Sequence, residues 1–286
     1  MNMPYLKLLA FMLFASSISA AQLDSVLTNI IPGTITFIGE SHHRIESPLL
    51  IKRLIHSAVG RQKCQILALE IGSDQQPVID QVMADEKPVG AIEISETIDH
   101  EPFRTVIAYF AKLKSNGYCL DVVAIDAGAD TQVERNEWMA ARLAGLPKDK
   151  PIIVLVGALH TLKKVAWTVS TGKPSVAEIL AGKGFRVKSF PQRWIPGECP
   201  GNSIRQHRFV GASDPEAATI LNESLLSLLN AKPAISAEGV VDGFIVWGCD
   251  SPPRGDSSHS GVGEVRSNLC NSIVDAISLR NRTFQS

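Results

Sequence analysis

The 286-residue chain has no Gly-x-Ser-x-Gly elbow, no His-Glu-x-x-His, no phosphate-binding loop and no Cys-x-x-Cys. Those absences remove the usual signatures of serine hydrolases, zincins, nucleotide-binding proteins and thioredoxin-like oxidoreductases. An excess of one charge is also missing. The net charge is −1, and no basic stretch is interleaved with aromatics, which make up only 6% of the residues, so the footprint of a nucleic-acid binder is absent. Beyond the N-terminus no run approaches the roughly 20 apolar residues needed to span a bilayer. Gly261-Val262-Gly263 follows no strand and carries no dinucleotide signal. No internal repeat is visible.

What is present begins at the N-terminus. Lys7 precedes the apolar stretch Leu8–Ala15 and the small residues Ser16 to Ala21. A cation, an apolar stretch and a small-residue exit describe a secretory signal peptide over 1–21, cleaved after Ala20 or Ala21, with an uncleaved anchor as the alternative. No cysteine at the exit marks a lipid attachment site. The remainder, 22–286, is expected to form a single α/β domain in the periplasm or outside the cell. Its core spans about 35–190 and an elaborated C-terminal part about 191–286.

Four apolar runs define the core, and each leads into ionisable residues. Ile35–Gly39 runs into Glu40-Ser41-His42-His43, and Ile66–Leu69 into Glu70. Val122–Ile125 runs into Asp126, and Ile152–Gly157 into Ala158-Leu159-His160. Short, continuously apolar, β-branched runs read as strands covered on both faces, as in a parallel sheet. Helical patterns separate them, so the expected fold is a three-layer α/β domain with a mostly parallel central sheet and helices on both faces. The strands' carboxyl ends then share the edge where open α/β sheets bind ligands.

The connecting helices have their own signals. Ser47-Pro48 starts one that runs to Val59, burying Leu50, Ile51, Leu54 and Ile55. Pro102 to Lys114 forms another, stopped by Asn116-Gly117. A third, capped by Thr131, buries Val133, Trp138, Met139 and Leu143. A fourth starts at Pro174-Ser175 and ends at Gly184, feeding a fifth strand over Phe185–Phe190. Beyond Pro191, Trp194–Gly211 reads as a loop, Ala217–Leu229 as a helix and Val240–Trp247 as an edge strand. Ser251–Gly263, rich in Ser, Gly and Pro, reads as a mobile loop.

All five cysteines lie beyond the signal peptide, in what should be an oxidising compartment. Cys64 and Cys119 each stand just before a strand. If those strands are neighbours, the two sulfurs meet, and a Cys64–Cys119 disulfide is expected; buried free thiols are the alternative. A second bridge should join two of Cys199, Cys249 and Cys270, and spacing does not choose which.

Gly39-Glu40-Ser41-His42 and Gly157-Ala158-Leu159-His160 share one form: strand, glycine, two residues, histidine. A neutral imidazole leaning over the sheet edge can act as a base, orient water or ligate a metal. Glu70 can hold an imidazole tautomer, accept a proton or complete a metal site. Asp126 can do the same, position Arg135, or cap the following helix. Glu40 can serve the site or bind backbone amides, and Arg135 can equally be a surface helix charge. His56, His100, His207 and His259 read as structural. A catalytic His160 at a strand end should be replaceable with little loss of fold, with Thr161–Lys164 leading away as an exposed basic stretch.

The run Gly39-Glu40-Ser41-His42-His43-Arg44-Ile45-Glu46-Ser47-Pro48 resembles the Gly-Glu-x-His-(three residues)-Glu-x-Pro opening of the ChaN-like, Tiki and erythromycin-esterase-like superfamily. Ala68-Leu69-Glu70, Arg135–Ala140 and Val156–His160 resemble its later motifs in the same order, over about Ile35–Phe190. The resemblance implies a three-layer fold and a pocket built on His42, Glu70 and His160. It also implies one of three activities: ester hydrolysis through a histidine-activated water, metal-dependent peptide cleavage, or haem binding in iron uptake. Many relatives carry Gly-Thr where this chain has His43-Arg44, so His43 is an additional candidate base or ligand and the choice between His42 and His43 stays open. The expectation is a hydrolase acting on a small molecule or peptide, with Glu40, His42, Glu70, Asp126, Arg135 and His160 as its site. Arg44 and Glu46 stand close by in sequence. His42, Glu70 and His160 are the candidate ligands for a divalent metal. The alternative is a haem- or iron-binding protein without turnover, with His42-His43 as axial donors.

Overall fold

The computed structural model describes residues 23–59, 64–128, 131–165, 173–197, 199, 205–224 and 236–249. The expected signal peptide, the loop over 251–263 and Cys270 lie outside them. Among the described residues, no helix is long and apolar enough to cross a membrane.

The strands are β1 (Thr34–Glu40), β2 (Cys64–Gly72), β3 (Cys119–Asp126), β4 (Ile152–Gly157), β5 (Arg186–Trp194), β6 (Gln206–Gly211) and β7 (Gly243–Gly248). The helices are α1 (Glu46–Val59), α2 (Gln76–Met83), α3 (Glu101–Ser115), α4 (Arg135–Ala144), α5 (Val176–Gly182) and α6 (Pro215–Glu223). One seven-stranded sheet runs β3-β2-β4-β1-β5-β7-β6. Every pairing is parallel except β6 with β7. The fold is therefore α/β with a mostly parallel central sheet, as the four apolar runs predict.

Alternation along the strands sorts the core into layers. Ile38, Leu67, Leu69 and Leu155 pack with Leu50 and Leu54 of α1, Ile79 of α2 and Phe103, Ile107 and Phe110 of α3. Ile35, Phe37, Ala68 and Val154 face the other way, onto Met139 and Leu143 of α4 and Val176 and Leu180 of α5. Phe244 and Val246 of β7 pack on Ala217 and Leu221 of α6. Each helix buries one apolar stripe, and their burial supplies most of the drive to fold.

Cys64 and Cys119 are paired in register across β2 and β3 and joined by a disulfide. The second bridge joins Cys199 to Cys249.

Several expectations need correction. The helix after β3 is capped by Glu134, not Thr131: the Glu134 carboxylate accepts from the Asn136 and Glu137 amides at 2.9 and 3.1 Å. The Thr131 amide instead closes a turn onto the Gly128 carbonyl, so the chain is not yet helical there, and Val133 is 50% exposed. β5 continues through Pro191 to Trp194, four residues past Phe190. Within Trp194–Gly211, read as a loop, Gln206–Gly211 forms β6; as the sheet edge it is only half covered, which blurs its apolar alternation. β7, read as the edge, lies between β5 and β6 and is buried on both faces. Helix α2 carried no reading; its Gln76 side chain bonds both the Ala124 amide and the Val122 carbonyl, a long-range anchor that local patterns do not show. Thr161 and Leu162 are fully buried rather than part of an exposed stretch, and Lys163 pairs with Asp242 at 2.7 Å.

Gly39 shows why the β1 motif needs glycine. A Cβ there would stand 2.9 Å from the Ala158 Cα and 3.0 Å from the Pro191 Cα, and neither backbone atom can give way cheaply. Gly39→Ala is expected to cost about 1–3 kcal/mol, the range for overpacking a tight site. The denaturant midpoint reads this directly, and an unchanged midpoint would show that β4 and β5 can part around a methyl group.

Candidate functional site at the carboxyl edge of the sheet

A cleft of about 600 Å³ opens over the carboxyl ends of β1, β2, β4 and β5. Glu40, His42, Arg44, Glu70, Arg135 and His160 all line it. Asp126 and Glu46 stand one contact behind, on Arg135 and on Arg205. His43 does not line the cleft: it turns outward in a left-handed conformation (φ 63°), with its ring 5.8 Å from that of His100. Of the two adjacent histidines, His42 is the one at the cleft.

Parallel pairing of β1 with β4 sets the two glycine-histidine motifs side by side, with Glu40 opposite Gly157. The chain turns after Glu40, and His42 folds back so that its Nδ1 lies 3.2 Å from Glu40 Oε1. A carboxylate only accepts, so neutral His42 carries its proton on Nδ1 and leaves an Nε2 lone pair. That nitrogen rests against Gly157, 3.3 Å from where a Cβ would stand. The hydrogen bond that His42 donates to Glu40 is the largest influence on His42 and raises its pKa above the ordinary 6.5; burial opposes it and the Glu70 charge supports it.

Glu70 lies where the β2–β3 register shifts, between Leu69 and Gly72. Such irregularities re-aim side chains. Its carboxylate is buried and fully engaged: Oε2 accepts from the Gly157 amide at 2.6 Å and Oε1 from Arg135 Nη2 at 2.5 Å. Arg135, first residue of α4, also donates through Nε and Nη2 to the two Asp126 oxygens, both at 2.7 Å. The Asp126 hydrogen bond, then the Glu70 charge, hold its guanidinium more firmly protonated than usual. Asp126 thus positions the arginine and also accepts from the Ala127 amide.

His160 sits in a 3₁₀ turn after β4. It is half-buried, with Nδ1 2.8 Å from Asn136 Oδ1 and Nε2 3.7 Å from Glu70 Oε1. Asn136 donates its own Nδ2 to the Pro174 carbonyl at 2.9 Å, which fixes the amide's orientation. The oxygen therefore faces His160, whose proton must be on Nδ1, leaving the Nε2 lone pair on the Glu70 side. Burial lowers the pKa of His160 and keeps it neutral. The Asn136 bond ties this half-buried histidine to α4, a contact that the sequence reading did not foresee. Asn136 carried no role in the sequence reading; its place beside Arg135, at the start of a helix aimed at the strand ends, was the available signal.

His42, Glu70 and His160 do not form a metal-binding group, and among the described residues no set of three His, Cys, Asp or Glu side chains does. The reason is local. Both Glu70 oxygens are engaged, and the Arg135 cation occupies the side of the carboxylate that a divalent ion would need.

The lower-priority histidines have structural settings. His100 caps α3 through Nδ1, His56 bonds Tyr109 at 2.9 Å, and His207 stacks on Trp247.

No protein-family model matches the chain, and no curated protein matches its sequence. Solved structures do. A variant of the erythromycin esterase EreC, in its open conformation, is 14% identical with a TM-score of 0.52, covering 79% of this chain and 94% of the other. A Bacillus cereus protein is 12% identical with a TM-score of 0.54, covering 77% and 89%. A looser likeness, TM-score 0.49 at 11% identity over 79% and 91%, is to ChaN of Campylobacter jejuni with cofacially bound haem. At such identities the likeness concerns the fold alone. This chain thus has a fold like that of the erythromycin esterase.

Proposed function

We propose that the protein is an ester hydrolase, periplasmic or secreted, that activates water with His42 and uses no metal held by the histidines. The observation that carries the reading is the Glu40–His42 pair, an oriented imidazole with its free Nε2 at a cleft. Water is the nucleophile. His42 Nε2 takes one water proton as the oxygen attacks the ester carbonyl, then returns it to the leaving alkoxide as the tetrahedral intermediate collapses. His160 Nε2 accepts the second water proton as a hydrogen bond and orients the attack. Arg135 stands as the cation for the developing oxyanion: its Nη1 bonds none of the described residues, while Nε and Nη2 are held by Asp126 and Glu70. Opposite pKa pressures on the two histidines suit this division, the raised one cycling its proton and the lowered one staying neutral.

The same likeness of fold leaves room for haem. The cleft's own donors, His42 and His160, are each bonded through Nδ1, and the exposed His43 lies outside it. Haem binding has no comparable observation behind it. A preparation that keeps a Soret band through dialysis would reverse the preference. The two disulfides suit an oxidising compartment and hence export.

The decisive experiment is a pH profile on a 4-nitrophenyl ester. A base must be neutral, so kcat/KM is expected to fall as pH drops through an inflection above 6.5, the ordinary histidine value from which His42 is raised. Glu40→Gln removes the largest raising influence and should move that inflection downward, with a lower plateau. An inflection that stays in place would sever His42 from Glu40 and remove this mechanism.

A further inference from the structure

Four arginines line the cleft, and two of them have no counter-charge among the described residues. Arg135 is neutralised by Asp126 and Glu70. Arg205 donates to the Ile195 and Gly197 carbonyls at 2.9 and 2.6 Å and stands 3.8 Å from Glu46. The Arg44 side chain, in the turn between β1 and α1, stands over the Trp194 ring, with its Cζ 5.6 Å from the centroid, and makes no ion pair with any described residue. Arg193, near the end of β5, is half-buried and makes no ion pair with any described residue. The two acids of the lining cannot serve them, because Glu40 is engaged by His42 and Glu70 by Arg135 and the Gly157 amide. Arg44 and Arg193 thus face one cleft with no ion pair to any described residue.

Arg44 is exposed, but for the half-buried Arg193 guanidinium the lack of a partner is a standing cost, and the planar donor fork of both matches a carboxylate or phosphate edge. Besides Ser41, Gln192 and Ser224, the wall carries the apolar side chains Trp194, Ile195, Pro196, Ile220 and Phe244. A cleft with unpaired arginines and an aromatic–aliphatic wall beside a hydrolytic centre selects an amphiphilic anion. We propose that the substrate is an ester with an apolar body and a free acid group, the acid held by Arg44 and Arg193 while the scissile carbonyl lies at His42. This rests on the hydrolase reading and narrows it to a substrate class.

The test compares two esters of equal acyl length, mono-4-nitrophenyl adipate, ending in a carboxylate, and 4-nitrophenyl hexanoate, ending in a methyl group. At low ionic strength kcat/KM is expected to favour the adipate by about tenfold or more, chiefly through KM, and added salt should shrink the ratio. Arg44→Gln with Arg193→Gln should bring the ratio close to one, and Arg193→Lys should keep part of it. A wild-type ratio of one or below, or a ratio that survives the double substitution, overturns the proposal and leaves the hydrolase reading standing. If neither ester is turned over, the hydrolase reading fails, and calorimetry on the His42→Ala protein decides the anion separately. There 1-naphthoate should bind at least about tenfold more tightly than 1-naphthamide, with the difference lost when Arg44 and Arg193 are also changed. Equal binding of acid and amide overturns the anion site.

Discussion

His42→Ala is expected to lower ester hydrolysis by at least about two orders of magnitude, the lower end of what a positioned general base contributes. The fold should survive. The His42 side chain is 29% exposed and, among the described residues, makes one hydrogen bond, to Glu40. Its loss leaves the Glu40 carboxylate facing the cleft, where water can reach it, so the stability cost should be about 1 kcal/mol, a shift of roughly 2–4 °C in melting temperature for a domain of this size. His160→Ala should lose similar activity at greater structural cost, about 1–3 kcal/mol, because its partner Asn136 is left with an unmatched acceptor in a partly buried place. If the two act as one unit, the double variant should be little worse catalytically than the poorer single one. A His42→Ala protein that keeps its melting temperature and most of its turnover would show that the base is elsewhere.

That contrast between two histidines marks the boundary of what the sequence discloses. Continuous apolar runs are a property of the chain itself, so β1 to β4, their common direction and the convergence of Glu40, His42, Glu70, Asp126 and His160 on one edge were legible before any coordinates. The Cys64–Cys119 bridge followed from the same placement. The environment of each side chain was not legible, because it depends on which elements become neighbours. Whether His160 is exposed or held by Asn136 depends on where the first turn of α4 lands. Which of His42 and His43 faces the cleft depends on a left-handed turn at His43 that no pattern announces. The C-terminal strands were misread for a related reason: β6 is an edge with mixed exposure, and β7 gains its second neighbour only from β6. The cleft wall at Ile195–Gly197 and Arg205, within the stretch read as a loop, takes shape only once β5 is seen to run on to Trp194.

Glu70→Ala should be the most damaging single change at the site, for a reason that separates it from His42. The Glu70 carboxylate joins three elements: β2, which carries it, the Gly157 amide ending β4, and Arg135 opening α4. Removing it orphans a buried amide, at about 1–3 kcal/mol. It also leaves Arg135 with Asp126 alone; because that guanidinium is half exposed, water recovers much of the lost pairing, and the added cost should be only about 1 kcal/mol. The sum, roughly 2–4 kcal/mol, corresponds to a melting-temperature fall of about 5–15 °C. Hydrolysis should fall by at least about 100-fold, since Arg135 is no longer fixed for the oxyanion. Glu70→Gln distinguishes the two contributions. Its amide oxygen can still accept from Gly157, so much of the stability should return. Its amide nitrogen, however, would point a donor at Arg135, and activity should stay low. Thermal melts and steady-state kinetics on both variants give the answer. A Glu70→Ala protein as stable as the wild type would mean that the bridge between β4 and α4 is not made in solution. A fully active Glu70→Gln protein would mean that the carboxylate's charge plays no part in placing Arg135.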